Sequence, residues 1–336
     1  MAPNTNIEIV FGAMTIGKEG IAQVRVSSLT EANAIIDNFQ AHGHNEVDTS
    51  RFYGDGTSEE YLAAMKWQDR KLVMDTKFYP NITGMLGRPE THLTPPDMRK
   101  GLEESLEALQ ADNVDLWYWH APDRSVSLKE ALRGVNELYK EGKFRRFGLS
   151  NFMSWEVAQI CEICERNGWV KPTVYQGVYN ALHRTVENEL FPCLRKYSIA
   201  FYAFNPLAGG YLTNRYHREI QDEDIEKGSR FDPNHMQGKM YRARYWHDAF
   251  FDALELLRPV TEKHGLRESE CALRWMMHHS QLKREYGDKV IIGASSEKQL
   301  EMNLKDFEEG ELPADVVEAL QKGWDICRGN AWRYFH

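Results

Sequence analysis

The 336-residue sequence lacks several features that identify broad classes of protein. No stretch approaches the roughly 18 apolar residues of a membrane-spanning helix, and the start, MAPNTNIEIVFG, lacks the basic and apolar regions of a secretion signal. Acidic residues outnumber basic residues by 50 to 41, so the formal charge of −9 offers no global attraction for nucleic acid or anionic membranes. We therefore expect a soluble, cytoplasmic protein with no nucleic-acid or membrane partner.

Cysteine is also scarce, because five residues in a chain of this length make no disulfide framework and an odd number cannot all pair internally. Cys161 and Cys164 form a C-x-x-C motif, but they lie inside the helical pattern VAQICEICERNG. Redox pairs of this kind usually lie at a strand-to-helix turn, so the pattern favours ordinary thiols on a half-buried helix.

Motifs for phosphate and metal binding are missing as well. The segment after the first predicted strand reads FGAMTIGKEG, without the G-x-G-x-x-G of a dinucleotide fold, and no G-x-x-x-x-G-K-[ST] motif occurs. Two histidine pairs, His42 with His44 and His278 with His279, have no suitably placed carboxylate or cysteine in a ligand motif. We predict no metal site.

Apolar runs of strand length alternate along the chain with amphipathic helical segments, and no low-complexity linker separates them. The eight predicted strands are IEIVFGAM, NEVDTS, KLVMDTKF, VDLWYWH, KFRRFGLSN, PTVYQGVYN, IAFYAFNPLAGG and DKVIIGASS. Eight strand–helix units predict one α/β domain over residues 1–336, folded as a (β/α)8 TIM barrel. A doubly wound sheet is the alternative, although such folds usually carry the missing glycine-rich motif.

A polar segment of about residues 213–245 separates the seventh and eighth predicted strands. It contains five arginines: Arg215, Arg218, Arg230, Arg242 and Arg244. Long loops in compact domains are usually functional or disordered, and active sites of barrels lie at the carboxyl ends of their strands. This pattern predicts a long loop after strand seven that acts as a lid.

Four ionisable side chains of four types follow three consecutive predicted strands. Asp48 and Tyr53 lie in NEVDTSRFYG, Lys77 closes KLVMDTK, and His120 closes VDLWYWH. Each residue alone has a structural interpretation, as a packed tyrosine, an ion pair or a buried histidine. Because a parallel barrel brings the carboxyl ends of its strands together, their joint placement favours a proton-transfer site. We call these four residues the tetrad.

The sequence resembles the aldo-keto reductase superfamily over almost its whole length. The motifs that carry the resemblance are VDTSRFYG, VMDTKF, WYWHAPD, GLSNF, YQGVYN, YAFNPLAGG and GASSEKQLEMNL. The segments NPLAGGYLTNRY, GSRFDP and YRARYW more narrowly resemble the aflatoxin-aldehyde reductase and succinic-semialdehyde reductase subgroup. The resemblance implies a (β/α)8 barrel that uses NADPH to reduce an aldehyde or ketone, with a role in detoxification or secondary metabolism.

The tetrad has the groups that this chemistry requires, without a metal. A carbonyl that receives hydride develops negative charge on its oxygen, so a nearby acid lowers the barrier. Tyr53 is the expected proton donor, and we expect the Lys77 ammonium to lower the Tyr53 pKa. Asp48 would pair with Lys77, and His120 would orient the carbonyl oxygen.

The resemblance also implies a set of cofactor contacts. Ser150, Asn151 and Gln176 would bind the nicotinamide carboxamide, Phe204 would stack on the ring, and Asp48 would contact the same end. Arg230 would meet the 2′-phosphate, which favours NADPH over NADH. The remaining predicted contacts are Asn205, Pro206, Leu207, Gly209, Gly210, Leu212 and Arg215 around the pyrophosphate, and Gly293, Ser295, Ser296, Gln299 and Asn303 around the adenosine. Ser295 and Ser296 have an alternative interpretation as helix N-caps.

Candidate substrate residues are His120, Trp119, Tyr241, Arg244, Trp332 and His336. The resemblance implies that the C-terminal tail lies over the active-site mouth. The subgroup normally ends in an arginine that faces the substrate, whereas this chain ends WRYFH. The replacement by His336 removes a fixed second cation unless Arg333 compensates, which disfavours a small dicarboxylic semialdehyde. The aromatic tail favours a larger aromatic or polycyclic carbonyl. Alternatively, the aromatic tail only packs over the barrel end.

A regulatory function is the alternative to an enzyme, because potassium-channel β-subunits share this barrel and its tetrad. The sequence has no N-terminal extension of the inactivating type, which favours the enzyme. The resemblance is also compatible with a homodimer, since dimers are common in the subgroup.

Overall fold

Eight parallel strands close into a barrel in the computed structural model, which describes residues 3–84 and 87–336. The strands are β1 (Glu8–Gly12), β2 (Glu46–Asp48), β3 (Val73–Phe78), β4 (Val114–Trp119), β5 (Phe144–Ser150), β6 (Pro172–Val178), β7 (Ala200–Phe204) and β8 (Lys289–Ile292). Each strand pairs with the next, and β8 pairs with β1. The predicted (β/α)8 barrel is confirmed.

Helices follow the strands and cover the outside of the barrel. They are α1 (Leu29–Ala41), α2 (Thr57–Ala64), α3 (Pro95–Leu109), α4 (Leu128–Lys140), α5 (Ser154–Asn167), α6 (Leu190–Lys196), α7 (Met236–Tyr245), α8 (Asp248–Lys263), α9 (Glu268–His278), α10 (Glu297–Glu308) and α11 (Ala314–Cys327). Side-chain capping bonds stabilise the N-termini of two of these helices. The Thr94 side chain accepts a hydrogen bond from the Asp97 main-chain N–H at the start of α3, and Ser28 caps α1 in the same way.

Strand side chains alternate between two apolar regions. Outward side chains pack against the helices in the main core, whereas a smaller cluster lies inside the barrel. On β4, for example, Leu116 and Tyr118 belong to the interior cluster, while Trp117 and Trp119 belong to the outer core. This alternation determines which residues can reach the active-site mouth.

The structure corrects two of the predicted boundaries. The first strand is shorter than IEIVFGAM, because it ends at Gly12 and residues 13–15 form a 3-10 turn. The segment 213–245 is not entirely a loop, because its last ten residues form α7. In the described residues, no helix is long and apolar enough to cross a membrane.

Candidate active site

The barrel brings the four tetrad residues to one mouth. Asp48 is the last residue of β2, Lys77 lies near the end of β3, and His120 directly follows β4. Tyr53 begins a 3-10 turn between β2 and α2. The carboxyl ends of three neighbouring parallel strands therefore bring the four side chains together, as the sequence predicted.

Lys77 lies at the centre of the tetrad contacts. Its Nζ donates hydrogen bonds to Asp48 Oδ1 at 2.5 Å, to the main-chain oxygen of Thr49 at 2.7 Å and to the Tyr53 hydroxyl at 3.2 Å. An ammonium has three donors, so these contacts use all of them and fix its position. The arrangement places a positive charge directly beside the phenol.

Burial changes the acid–base chemistry of the phenol and the ammonium. Burial alone would lower the pKa of Lys77, but Asp48 and Tyr53 outweigh it, so the Lys77 pKa is raised and the ammonium stays charged. For Tyr53, burial is the largest effect and raises its pKa, while Lys77 offsets part of that rise. The expectation of a net lowering at Tyr53 is therefore wrong in this structure, because desolvation of the phenolate exceeds the attraction of Lys77.

His120 is uncharged at neutral pH. Burial, and then the charge of Lys77, holds the His120 pKa well below its ordinary value. Its ring lies edge-on to the rings of Tyr53 and Tyr79, with centroids 6.0 Å and 5.5 Å away. His120 Nδ1 is buried and has no hydrogen-bond partner among the described residues. A neutral imidazole keeps one donor and one acceptor, so it can donate to a carbonyl oxygen without adding charge.

The three predicted carboxamide-binding residues lie beside the tetrad. Gln176 on β6 donates from Nε2 to Asp48 Oδ2 at 2.8 Å, which leaves its Oε1 as an acceptor. Asn151 donates from Nδ2 to the main-chain oxygen of His120 at 2.8 Å and to Ser150 Oγ at 3.1 Å. Asn151 adopts a positive φ of 67°, a conformation that asparagine tolerates better than most residues. Amide and hydroxyl groups therefore surround the deep end of the mouth.

The segment after β7 continues this polar surface. Phe204 ends β7 and packs against the interior cluster. The buried Asn205 accepts a hydrogen bond at Oδ1 from the Tyr241 hydroxyl at 3.1 Å, whereas its Nδ2 has no partner among the described residues. Gly209 and Gly210 have φ values of +73° and +101°, and a Cβ at Gly209 would lie 2.2 Å from the Tyr241 ring. These glycines permit the close turn of the segment.

Other members of the predicted pyrophosphate segment are placed less favourably. Pro206 and Leu207 are buried, and the Leu212 side chain is wholly enclosed in the core. Only main-chain atoms of Leu212 could face a ligand. Arg215 is about half exposed and pairs with Glu226 at 3.2 Å.

The predicted adenosine segment surrounds the start of α10. Ser296 accepts the N–H of Gln299 and is the N-cap, so the helix-capping interpretation applies to it. Ser295 donates from its main-chain N–H and its hydroxyl to Gln299 Oε1, at 2.8 Å and 2.9 Å. Asn303 is buried, and its Nδ2 has no partner among the described residues. Gly293, the first residue of this segment, lies close to the main chain of Gly12.

The five arginines of the segment 213–245 divide into two groups. Arg215 pairs with Glu226, Arg218 with Asp248, Asp252 and Glu255, and Arg242 with Asp222. Across residues 3–84 and 87–336, Arg230 and Arg244 form no ion pair; their guanidinium carbons lie 5.6 Å and 5.7 Å from the Tyr241 ring centroid. Two uncompensated cations therefore flank one tyrosine at the mouth.

The C-terminal tail is anchored across the mouth, as predicted. The Tyr334 hydroxyl accepts the N–H of Ser154 at 3.1 Å, and the His336 N–H donates to the Asn151 main-chain oxygen at 3.2 Å. Arg124 donates to the His336 main-chain oxygen at 2.9 Å. Partial loss of hydration, then the charges of Arg244 and Arg124, lower the His336 pKa. Trp332 remains 42% exposed.

Trp119 does not belong to the mouth. Its side chain is wholly buried in the outer core, donates to Met98 Sδ at 3.0 Å and packs beside Phe147 and Phe152. The prediction of substrate contact is wrong because Trp119 follows the inward-facing Tyr118 and therefore points outward.

The sequence did not identify two residues that contact the mouth. Tyr79 directly follows β3 and its ring lies against that of His120, and Arg124 lies in the loop after β4 and binds the main chain of His336.

The C-x-x-C cysteines are inert thiols: burial is the main reason that the pKa of Cys161 and that of Cys164 are raised to about 12. The ordinary-thiol interpretation is thus supported by their burial on α5.

Comparison with known proteins identifies the family. The family model described as Aldo/keto reductase family matches residues 8–325. The chain is 45% identical to the aldo-keto reductase pigE of Monascus ruber, covering 100% of this chain and 99% of that protein. It is 42% identical to aflatoxin B1 aldehyde reductase member 4 of Homo sapiens, over 97% of this chain and 96% of the relative. An aldo-keto reductase of Pseudocercospora fijiensis is 49% identical over 90% of this chain and all of its own length. The chain therefore belongs to the aldo/keto reductase family.

Proposed function

We propose that this oxidoreductase uses NADPH to reduce an aldehyde or ketone to an alcohol, with Tyr53 as the proton donor. The observation that carries the proposal is the buried hydrogen-bond chain from Asp48 through Lys77 to Tyr53. Bound NADPH would supply hydride to the carbonyl carbon. The charge that then appears on oxygen needs a proton and a hydrogen-bond donor beside it.

The tetrad residues would perform these two tasks. Tyr53 transfers its hydroxyl proton to the carbonyl oxygen, and the adjacent Lys77 ammonium stabilises the phenolate that remains. Asp48 holds Lys77 in place. The neutral His120 donates a hydrogen bond to the same oxygen and so aims the carbonyl carbon. Because Tyr53 has a raised pKa in the ligand-free site, it holds its proton until negative charge develops on the substrate.

The residues around the mouth fit a phosphorylated nicotinamide cofactor. The buried amide nitrogens of Asn205 and Asn303 lack partners among the described residues, and leaving a buried donor unpaired costs about 1–3 kcal/mol. A bound cofactor with acceptor atoms beside these two amides would satisfy both. Arg230 supplies an uncompensated positive charge for the 2′-phosphate, and Gln176 Oε1 can accept from the carboxamide.

The substrate is proposed to be a carbonyl compound with an aromatic body, encountered in detoxification or secondary metabolism. Two human relatives, 42% and 40% identical to this chain, are named as aflatoxin B1 aldehyde reductases, which supports a bulky substrate. Arg244, His336 and the exposed Trp332 are available to contact the part of the substrate that lies outside the tetrad.

Replacing Tyr53 by phenylalanine tests the proposal. We expect turnover with a panel of aldehydes and ketones to fall at least about a hundredfold, because the general acid is lost, while NADPH binding measured by fluorescence is unchanged. Tyr61→Phe is the matched control, because the Tyr61 hydroxyl bonds the Ser27 main chain away from the tetrad. Full activity in the Tyr53 variant would refute the proposed role.

A further inference from the structure

Asp75 is a buried carboxyl group that the proposed reaction does not use. It lies on β3 two residues before Lys77, so both side chains point into the barrel. The register of β2 and β3 pairs it with Asp48, and its main-chain oxygen accepts the N–H of Thr49 at 2.9 Å. The Asp75 side chain is wholly enclosed. A carboxyl group therefore lies directly beside the anionic member of the tetrad.

The other neighbour of Asp75 is Glu46, the first residue of β2. Glu46 belongs to a charged network at the end of the barrel opposite the mouth, which we call the barrel floor. Glu46 Oε1 accepts hydrogen bonds from the Tyr202 hydroxyl and from Arg146, both at 3.0 Å. Its second oxygen pairs with Lys289. The floor opens into a cavity of about 430 Å³ lined partly by these residues. Two cations and a phenol thus stabilise Glu46 as a carboxylate.

Asp75 has no comparable donors. Neither of its carboxyl oxygens has a donor partner among residues 3–84 and 87–336. Arg146, whose charge acts to lower the Asp75 pKa, is bonded to Glu46, Asp115 and Tyr202 instead. The carboxyl group that does lie within hydrogen-bonding reach is that of Glu46, which offers only acceptors when ionised. The pair is satisfied when one proton lies between the two carboxyl groups, as in other buried carboxyl pairs.

The electrostatics assign that proton to Asp75. Burial, and then the negative charge of Glu46, raises the Asp75 pKa well above its ordinary value, with Asp48 adding to the rise. For Glu46, burial is outweighed by Lys289 and Arg146, so the Glu46 pKa is lowered. The phenols of Tyr118 and Tyr202 face the same interior, and burial raises the pKa of each. Asp75 is therefore the neutral carboxyl group of the pair that it forms with Glu46.

We propose that Asp75 is a positioning residue of the active site, held as a neutral acid that donates a hydrogen bond to the Glu46 carboxylate and leaves Asp48 to supply the negative charge beside Lys77. The inference rests on the proposed reduction at Tyr53. If Asp75 lost its proton, a second negative charge would lie next to the Asp48–Lys77 pair. That charge would favour the protonated phenol and make Tyr53 a weaker acid toward substrate.

Stability as a function of pH tests whether Asp75 keeps its proton. An unfolded aspartate loses its proton near pH 3.9, whereas the folded state retains it to higher pH. The folded state of the wild type therefore loses stability as pH rises between the unfolded and folded pKa values. Relative to Asp75→Asn, the wild-type unfolding equilibrium constant should increase about tenfold per pH unit over that range. Asp115→Asn is the matched control, because it removes a carboxyl group that pairs with Arg146. Relative to this variant, the unfolding equilibrium constant of the wild type should show no such increase.

Infrared spectroscopy provides a second readout. It does not depend on turnover, and its main observation is made on the wild-type protein, so it holds even if the variant fails to fold. The wild type should show the C=O stretching band of a protonated carboxylic acid at neutral pH, and the band should disappear in alkaline solution. In a folded Asp75→Asn protein, this band should be absent. If the difference in unfolding free energy between the wild type and Asp75→Asn did not change with pH, and no such band were seen, Asp75 would be ionised and the inference overturned.

The pH profile of kcat/KM with an uncharged aldehyde tests the positioning role. The wild-type value should decline in alkaline solution as Asp75 ionises, and the Asp75→Asn value should lack this decline, because asparagine keeps a donor toward Glu46. A constant ratio between the two proteins at every pH would indicate a purely structural role and overturn the positioning role. Because stability and infrared spectra do not depend on turnover, failure of the reductase proposal would remain distinguishable.

Discussion

Lys77 and Asp48 form an ion pair in which Nζ and Oδ1 are 2.5 Å apart and neither side chain is more than 3% exposed. A buried pair contributes little net stability when compared with apolar residues, but removing one partner leaves an uncompensated charge. Lys77 also holds the Tyr53 hydroxyl. The pair should therefore affect stability and catalysis in different ways, and substitutions can separate the two.

Lys77→Met should lower the free energy of unfolding by about 3–5 kcal/mol, because the buried Asp48 carboxylate loses its cation. The double variant Lys77→Met with Asp48→Asn should recover a substantial part of that loss, since no isolated charge remains and Gln176 keeps an acceptor. Urea unfolding measures the stability of the two single variants and the double variant. Turnover should stay low in the double variant, because the ammonium beside Tyr53 is missing. Strictly additive stability losses would contradict the coupling.

The sequence was sufficient to predict the barrel and the tetrad, because both depend on local patterns. Apolar runs of strand length with polar residues at their carboxyl ends predict parallel strands and also the edge at which those residues meet. Asp48, Lys77 and His120 follow this rule directly. The position of Trp119 could also have been predicted, since alternation along β4 places it opposite to Tyr118.

Properties that depend on the complete tertiary environment could not be predicted in the same way. The raised pKa of Tyr53 results mainly from burial, which no spacing of residues reveals. Helix α7 has a polar sequence, so its apolar periodicity is weak, and packing of Tyr241 and Tyr245 onto the barrel supports it instead. The partners of the five arginines likewise depend on how the segment 213–245 folds back over the mouth.

Arg230→Gln should reduce the preference for NADPH over NADH. Arg230 forms no ion pair among the described residues, so its charge is available to a phosphate, and a charge-assisted hydrogen bond contributes about 1.5–3 kcal/mol. We expect the ratio of kcat/KM for NADPH to that for NADH to fall about 10- to 100-fold. Arg242→Gln is the control within the same segment, because Arg242 is already bonded to Asp222 and to the Phe231 main chain. An equal loss of preference in both variants would contradict a specific role for Arg230.

We expect His336 to affect how strongly the mouth attracts negatively charged substrates. The His336 pKa is lowered, by partial loss of hydration and by Arg244 and Arg124, so the imidazole is neutral at neutral pH. A carboxylate-bearing substrate would then meet the charge of Arg244 without a second cation from the tail. As pH falls through the lowered pKa, His336 gains a proton, and the attraction for anionic substrates should increase.

His336→Arg should therefore favour a carboxylate-bearing aldehyde over an uncharged aldehyde of similar size. A second permanent cation beside Arg244 permits a charge-assisted hydrogen bond, so the ratio of kcat/KM values should rise by about tenfold or more at neutral pH. The advantage over the wild type should shrink in acid, where His336 is itself protonated. Asn330→Arg adds the same charge to an exposed position on the same tail and controls for a general change in potential. An equal rise in both variants would attribute the effect to net charge, whereas a rise confined to His336→Arg would assign substrate discrimination to that position.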